Sequence, residues 1–355
     1  MLNSIHVQNL TVFVDAKINF SPQLNVIIGE NGVGKSHLLK IPYAILAASA
    51  EEGRKPNAAP PTKSGFQTKL ADKLVHVLRP EKLGRLARRR QGHSRCEITC
   101  KFSPASLALQ FGFTTTSQSS VSFDKGKLPA SWVEKSPVFL PTRELLTIYP
   151  GFVSLYENRF LEFEESWRDT CSLLGSPTLR GAKEKTMQDL LSPLEQAMGG
   201  RVELDSHTGR FYLNIPSSGR MEMPLVAEGL RKFAMVARLI ATGSLANKSY
   251  LFWDEPESNL NPLLVKQMAK TIFHLCTTGI QVFVATHSLF LLREFEILRK
   301  NPEFNIVKTR FIGLVNGSDG VEVEQGDSID SLETIVSLTE ELNQTMRYLE
   351  SENNS

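Results

Sequence analysis

The sequence predicts an α/β protein in which a mostly parallel sheet is flanked by helices, with an antiparallel β subdomain and a helical insertion added to it. Three observations carry this. The run Val26-Ile27-Ile28 is a continuous apolar strand that ends in a glycine-rich loop and leads into a helix-forming segment. Between residues 229 and 299, hydrophobic strands alternate with helix-length segments, the order that builds a parallel sheet with helical crossovers. Residues 96–123 instead alternate like successive strands.

Along the chain, residues 5–7, 16–20 and 24–28 read as three opening strands, the first two alternating so as to bury one face. A helix is expected from Lys35 to about Leu46, kinked at Pro42, whose ring removes a main-chain donor. Residues 50–65 are polar and broken by Pro56, Pro60 and Pro61, which predicts a surface insertion. An amphipathic segment at 66–78 and a basic stretch follow. Val138-Phe139-Leu140 is a further strand, closed by Pro141. Residues 152–198 read as helical with a break near 175–177, and the lack of sustained heptads predicts no long coiled-coil arms. A hairpin (201–204 with 210–215) precedes a helix at 229–242, a strand at 250–253, a helix at 262–277, a strand at 281–285 and a helix at 289–299. Two strands and a polar helix near 330–350 complete the expected order. One α/β head is thereby expected from residues 1–145 and 200–355, with a helical insertion at 150–199 and a polar and basic insertion at 49–95.

The bulk composition suits a folded protein. Of 355 residues, 41% are hydrophobic and 22% charged, and a formal charge of +2 leaves any nucleic-acid contact to local patches. Cys96, Cys100, Cys171 and Cys276 are few and scattered, with no paired zinc-ligand spacing, as expected in a reducing compartment. The opening MLNSIHVQNL has no basic region followed by an apolar run, and no stretch approaches the length of a membrane span. A cytoplasmic location without membrane contact is the expectation.

Gly29-Glu30-Asn31-Gly32-Val33-Gly34-Lys35-Ser36 matches the pattern GxxxxGK followed by Ser or Thr completely, and it lies between a strand and a helix. Gly29, Gly32 and Gly34 let backbone N–H groups turn towards phosphates, and the helix N-terminus adds favourable potential. Lys35 is suited to neutralise phosphate charge, and the Ser36 hydroxyl to coordinate Mg²⁺. Asn31 and His37 complete the candidate nucleotide-binding set of this segment. A glycine turn needed only for packing would not account for the lysine and the serine.

Leu251-Phe252-Trp253-Asp254-Glu255 is a hydrophobic strand ending in two acids. Such a pair alone is commonly a solvated turn. Beside a phosphate loop, Asp254 is the candidate Mg²⁺ ligand and Glu255 the group that polarises an attacking water. The run through Pro256-Glu257-Ser258-Asn259-Leu260-Asn261-Pro262 resembles the Walker B and D-loop of ABC-type ATPases, and Val284-Ala285-Thr286-His287-Ser288 resembles the switch-histidine segment. Val226-Ala227-Glu228-Gly229-Leu230-Arg231-Lys232 is similar to the signature motif, with Ala227 where the family has serine. With these motifs in order over residues 1–48 and about 200–300, the chain resembles the compact SMC-like branch related to OLD and RecF ATPases. Pro137 to Glu144 (PVFLPTRE) looks like that branch as it occurs in bacterial anti-phage systems.

The resemblance implies an ATP hydrolase using ATP and Mg²⁺, with Lys35, Glu255 and His287 catalytic, His287 as a sensor of the γ-phosphate. It also implies a homodimer or higher assembly in which Ala227, Gly229 and Ser258 approach the partner's nucleotide. No Q-loop glutamine is evident, and Arg143 stands where it could approach the nucleotide or make a surface salt bridge. The 68 residues after His287 are too few for the nuclease domain of OLD proteins. A sensor or regulatory subunit controlling a separate nuclease or toxin is thus expected. A RecF-like ATPase that clamps DNA, a transporter's nucleotide-binding subunit and a self-contained nuclease are the other readings. Arg79, Lys82, Arg85, Arg88, Arg89, Arg90 and Arg95, with Glu81 among them, form a basic stretch that would meet DNA or RNA; if helical, Lys82, Arg85 and Arg89 share a face. It lacks aromatic residues for base stacking, and a partner protein is an equal candidate.

Overall fold

The computed structural model describes residues 1–355 except 90–93, 124–126, 160, 246–248, 334–335 and 354–355. In chain order it contains β1 (Leu2–Leu10), β2 (Phe13–Asn19), β3 (Leu24–Gly29), α1 (Lys35–Gly53), α2 (Lys63–Leu78), β4 (Arg95–Phe102), β5 (Leu109–Thr114) and β6 (Val138–Leu140). Three helices follow, α3 (Tyr149–Asn158), α4 (Glu165–Leu174) and α5 (Ala182–Met198), then β7 (Arg201–Asp205), β8 (Arg210–Ile215) and β9 (Gly219–Glu222). The last part runs α6 (Glu228–Ala241), β10 (Tyr250–Asp254), α7 (Pro262–Thr277), β11 (Gln281–Thr286), α8 (Leu289–Arg299), β12 (Thr309–Gly317), β13 (Gly320–Gly326) and α9 (Val336–Asn353).

Among the described residues these strands form three sheets. The central one has the order β13-β12-β3-β11-β10-β6 and is parallel except for β13. An antiparallel sheet, β2-β1-β4-β5, covers one side, and a small antiparallel sheet, β7-β8-β9, stands by the helices. Burial on both faces explains the unbroken apolar runs of the central strands. Along β3, Val26 and Ile28 point into a core with Trp253, Val284 and the helices α6 to α8. Ile27 points into the opposite core, with Phe252, Phe283 and α1, α2 and the antiparallel sheet.

The polarity of the parallel strands sets the place of the site. In register, Ile28 lies opposite Thr286, and Ala285 opposite Asp254. The carboxyl ends of β3, β11 and β10 therefore share one edge, where open α/β sheets place their ligands.

Two expectations are corrected. Helix α1 does not end near Leu46; it continues to Gly53 with Pro42 inside it. Its residues from Ile41 to Ala50 are buried, and that packing outweighs one missing main-chain hydrogen bond. The basic stretch is not an α-helix. Helix α2 stops at Leu78, Arg79 takes a left-handed conformation with φ 57°, and only a 3₁₀ turn at Leu83–Leu86 follows. Arg90 lies outside the described residues.

Candidate functional site

The phosphate loop is shaped by what surrounds it. Gly32 and Gly34 have φ of +87° and +93°, a region open to glycine at little cost. A Cβ on Gly29 would lie 2.6 Å from the Leu314 carbonyl oxygen, so the end of β3 has room only for glycine. Helix α1 opens directly after the loop with no acidic residue in its first turn, which leaves its N-terminal N–H groups and dipole free for an anion.

The Lys35 amine folds back and donates to the carbonyl oxygens of Gly29 and Glu30, both at 2.8 Å. Burial lowers its pKa, opposed by the nearby Glu255 and Asp254 carboxylates. The Ser36 hydroxyl donates to Asp254 Oδ2 at 2.7 Å, which joins the loop helix to the end of β10. Burial raises the Asp254 pKa, and the Ser36 hydrogen bond works in the other direction.

Glu255 follows with φ +49°, a left-handed conformation unusual for this residue type, held by its N–H bond to the Ala285 carbonyl at 2.9 Å. The twist brings its carboxylate Oε1 within 3.1 Å of His287 Nδ1. The structure thus brings together Lys35, Ser36, Asp254, Glu255 and His287, drawn from three parallel strand ends.

The remaining sequence-predicted residues divide. Asn31 is exposed on the loop. The His37 Nδ1 lies 3.2 Å from Thr11 Oγ1 in the β1–β2 turn, and burial lowers its pKa. Ala227 is the N-cap residue of α6 and supplies no side-chain cap. A Cβ on Gly229 would come within 2.9 Å of Leu260 and 3.1 Å of the Asn259 carbonyl oxygen, so close packing also requires this glycine. The Ser258 hydroxyl is turned into its own chain, donating to the Glu255 carbonyl at 2.8 Å and accepting from Lys232 Nζ at 2.7 Å. Arg143 lines a groove with Glu228, Arg231 and Asn259, and no phosphate-loop residue is among its lining.

Sequence reasoning missed two residues. Lys232 is buried and also donates to the carbonyl oxygens of Ser258 (2.7 Å) and Glu255 (3.3 Å), so the α6 helix holds the turn after the acids. Glu257 is buried, accepts from the Thr286 hydroxyl, and its Oε2 has no partner. Burial raises its pKa. Both sit inside quoted motifs, but only their full burial distinguishes them from solvated charges.

The basic stretch is largely engaged with its own chain. Arg85 pairs with Glu81, Arg95 with Glu97, and Arg88 donates to the carbonyls of Val12 and Asp319. All four cysteines are free and buried. Among the described residues no helix is long and apolar enough to cross a membrane.

A glycine loop on a strand end, facing a strand-terminal acid pair in a mostly parallel sheet, defines a P-loop ATPase domain. Comparison with known proteins gives the family. A model described as "AAA domain, putative AbiEii toxin, Type IV TA system" matches residues 115–293, half of the chain, and one described as "AAA ATPase domain" matches residues 1–166. The chain belongs to the first of these, the AAA domain family. No curated protein matches it. Among solved structures, the Smc head bound to the C-winged helix domain of ScpA is similar at a TM-score of 0.55 and 11% identity, covering 94% of this chain and 99% of that one. The Smc head domain with an extended coiled coil bound to the C-terminal domain of ScpA, derived from Pyrococcus furiosus, is similar at a TM-score of 0.55 and 12% identity, covering 99% of both chains. The fold is that of an SMC head.

Proposed function

We propose that this chain hydrolyses ATP with Mg²⁺ and works as a nucleotide-gated dimeric switch, the regulatory subunit for a separate nuclease or toxin in an anti-phage system. The observation that carries the reading is the double link across the strand ends: Ser36 to Asp254 at 2.7 Å, and Glu255 to His287 at 3.1 Å. A serine hydroxyl and a carboxylate oxygen are hard donors, the kind a Mg²⁺ ion takes alongside substrate phosphates. Ser36 and Asp254 would hold that ion, which supplies charge neutralisation across the phosphates.

The chain's own residues do the rest. The Lys35 amine exchanges its two loop carbonyls for phosphate oxygens, and the α1 N-terminus adds backbone donors. Glu255 accepts a proton from the water that attacks the γ-phosphorus as the bond to the bridging oxygen breaks, and His287 orients the carboxylate. Gly229 and Ser258 meet the partner's nucleotide. For Ser258 this requires its hydroxyl to leave Lys232 and the Glu255 carbonyl, which makes the turn after the acids sensitive to assembly. The partner-bound Smc heads support a head that works in an assembly, and the family description supports a link to toxin–antitoxin systems. Direct DNA clamping is less well supported, because Arg85, Arg88 and Arg95 already have partners within the chain.

The test is size measurement by light scattering with ATP and Mg²⁺. Glu255→Gln should bind ATP and accumulate as a stable dimer with turnover reduced at least a hundredfold, while Lys35→Ala should neither bind nor dimerise. Normal turnover by Glu255→Gln would remove the assignment of the base.

A further inference from the structure

The two ends of α6 have different neighbours. Its first turns hold the segment after the acids through Lys232. Its last turn, about 20 Å away along a 14-residue helix, opens on a cleft of about 600 Å³ bounded by α5, β7 and residues 178–180. No residue assigned above to ATP or to the partner's nucleotide lines this cleft. It holds a buried charge that the chain does not neutralise. Arg238 is only 6% exposed. Its Nε and Nη2 donate to the carbonyl oxygens of Leu174 (2.9 Å) and Ser176 (2.8 Å) at the end of α4, and its guanidinium lies 5.6 Å from the centre of the Phe211 ring. Those contacts fold the side chain inward but supply only partial charges. Among the described residues Arg238 forms no ion pair and its Nη1 has no partner, whereas a buried arginine ordinarily faces an acid. Burial lowers its pKa accordingly. Arg180, exposed at the rim, is also without a partner among the described residues. The two acids of the lining are engaged: Glu184 pairs with Arg201 at 2.9 Å, and Glu203 accepts from the Asn214 side-chain amide at 3.2 Å.

The same cleft follows a free strand edge. Among the described residues β7 pairs with β8 alone. Four consecutive residues of β7, 201–204, line the cleft. Successive side chains of a strand point to opposite faces, so this lining sets the cavity against the edge of β7 and not over one face. Leu179, Met187, Leu191 and Leu204 give it apolar walls. A small anion would leave the walls and the main-chain edge unused. An extended peptide uses all three features: main-chain hydrogen bonds to the edge, alternate apolar side chains towards the walls, and a carboxylate at the arginines.

We propose that this cleft docks an extended peptide of a partner protein, added as a strand beside β7, with a carboxylate of the peptide held by Arg238 and Arg180. The site gives the regulatory subunit proposed above a partner surface remote from the strand-end acids, and it stands independently of that reading because docking needs no nucleotide.

Fluorescence anisotropy on the full chain tests the site with two labelled pentapeptides of alternating valine and threonine. One ends in leucine with a free carboxylate; the other carries glutamate at its fourth position and an amidated end, which separates a terminal from a side-chain carboxylate. At least one should bind, and removing its carboxylate, by amidation or by glutamine, should weaken binding at least tenfold. N-methylation of alternate peptide nitrogens should weaken it as much, because the donors to β7 are lost. Arg238→Ala also removes a contact at the end of α4, so the exposed Arg180→Glu is the cleaner variant; it should bind at least tenfold more weakly with unchanged thermal unfolding. Lys35→Ala should bind like the wild type, so that failure of the ATPase reading shows separately as an inactive chain that still takes up peptide. No binding of either peptide at millimolar concentration, undiminished binding without the carboxylate, or undiminished binding by Arg180→Glu would overturn the site. Equal binding of the N-methylated peptide would overturn the strand pairing.

Discussion

Lys232 is a buried ammonium whose donors are spent on the turn that follows the acid pair Asp254-Glu255. Burial pushes its pKa down from 10.5 to about 8, against the fields of Glu257, Glu228 and Glu255. Between those two pH values the unfolded chain binds more protons than the folded one, so this side chain's contribution to stability rises as pH increases. Urea denaturation should therefore show the stability difference between wild type and Lys232→Met moving in favour of wild type from pH about 8 to about 10. A difference that stays flat would mean the amine is solvated. At this scale the phosphate loop was legible because its chemistry is written in eight consecutive residues. Lys232 and Glu257 were not, because a charge inside a motif looks the same in sequence whether it is solvated or buried. Arg143 was expected near the nucleotide or in a surface salt bridge, and its place beside Glu228 and Asn259 depends on the order of the sheet.

Among the elements, α1, α2 and α4 are held together by an ionic cluster. Lys73 of α2 is fully buried and bonds Glu51 of α1 together with Glu165 and Asp169 of α4, the last two at 3.0 and 2.7 Å. Its three acid partners raise its pKa despite burial, while burial raises that of Asp169. Removing the cation leaves three carboxylates facing one another, and breaking a buried pair in this way costs about 3–5 kcal/mol. Lys73→Met should lower unfolding stability by that order, measured by denaturant titration, with a loss under about 1 kcal/mol contradicting the role. The partners lie at positions 51, 73, 165 and 169, so no local pattern announces the cluster. Helix α1 likewise extends past Pro42 because it is buried against residues far along the chain, Phe139, Phe252 and Phe283 among them. The central strands, by contrast, were legible because burial on both faces leaves a continuous apolar run. Strand β9, with the sequence GRME and little burial, carries no such signal.

At the scale of the molecule, the central sheet collects the loop after β3, the acids after β10 and the histidine after β11 at one edge, and α6 delivers Gly229 and Lys232 against the same turn. The switch proposed here depends on that edge taking up a magnesium nucleotide before any dimer or effector is engaged. Isothermal titration of the wild-type chain with a non-hydrolysable ATP analogue tests this most directly, with and without Mg²⁺ and alongside Lys35→Ala. The account predicts one nucleotide per chain, at least tenfold tighter with Mg²⁺ than without, and no measurable binding by Lys35→Ala. Equal affinity with and without Mg²⁺, or undiminished binding by Lys35→Ala, would contradict it.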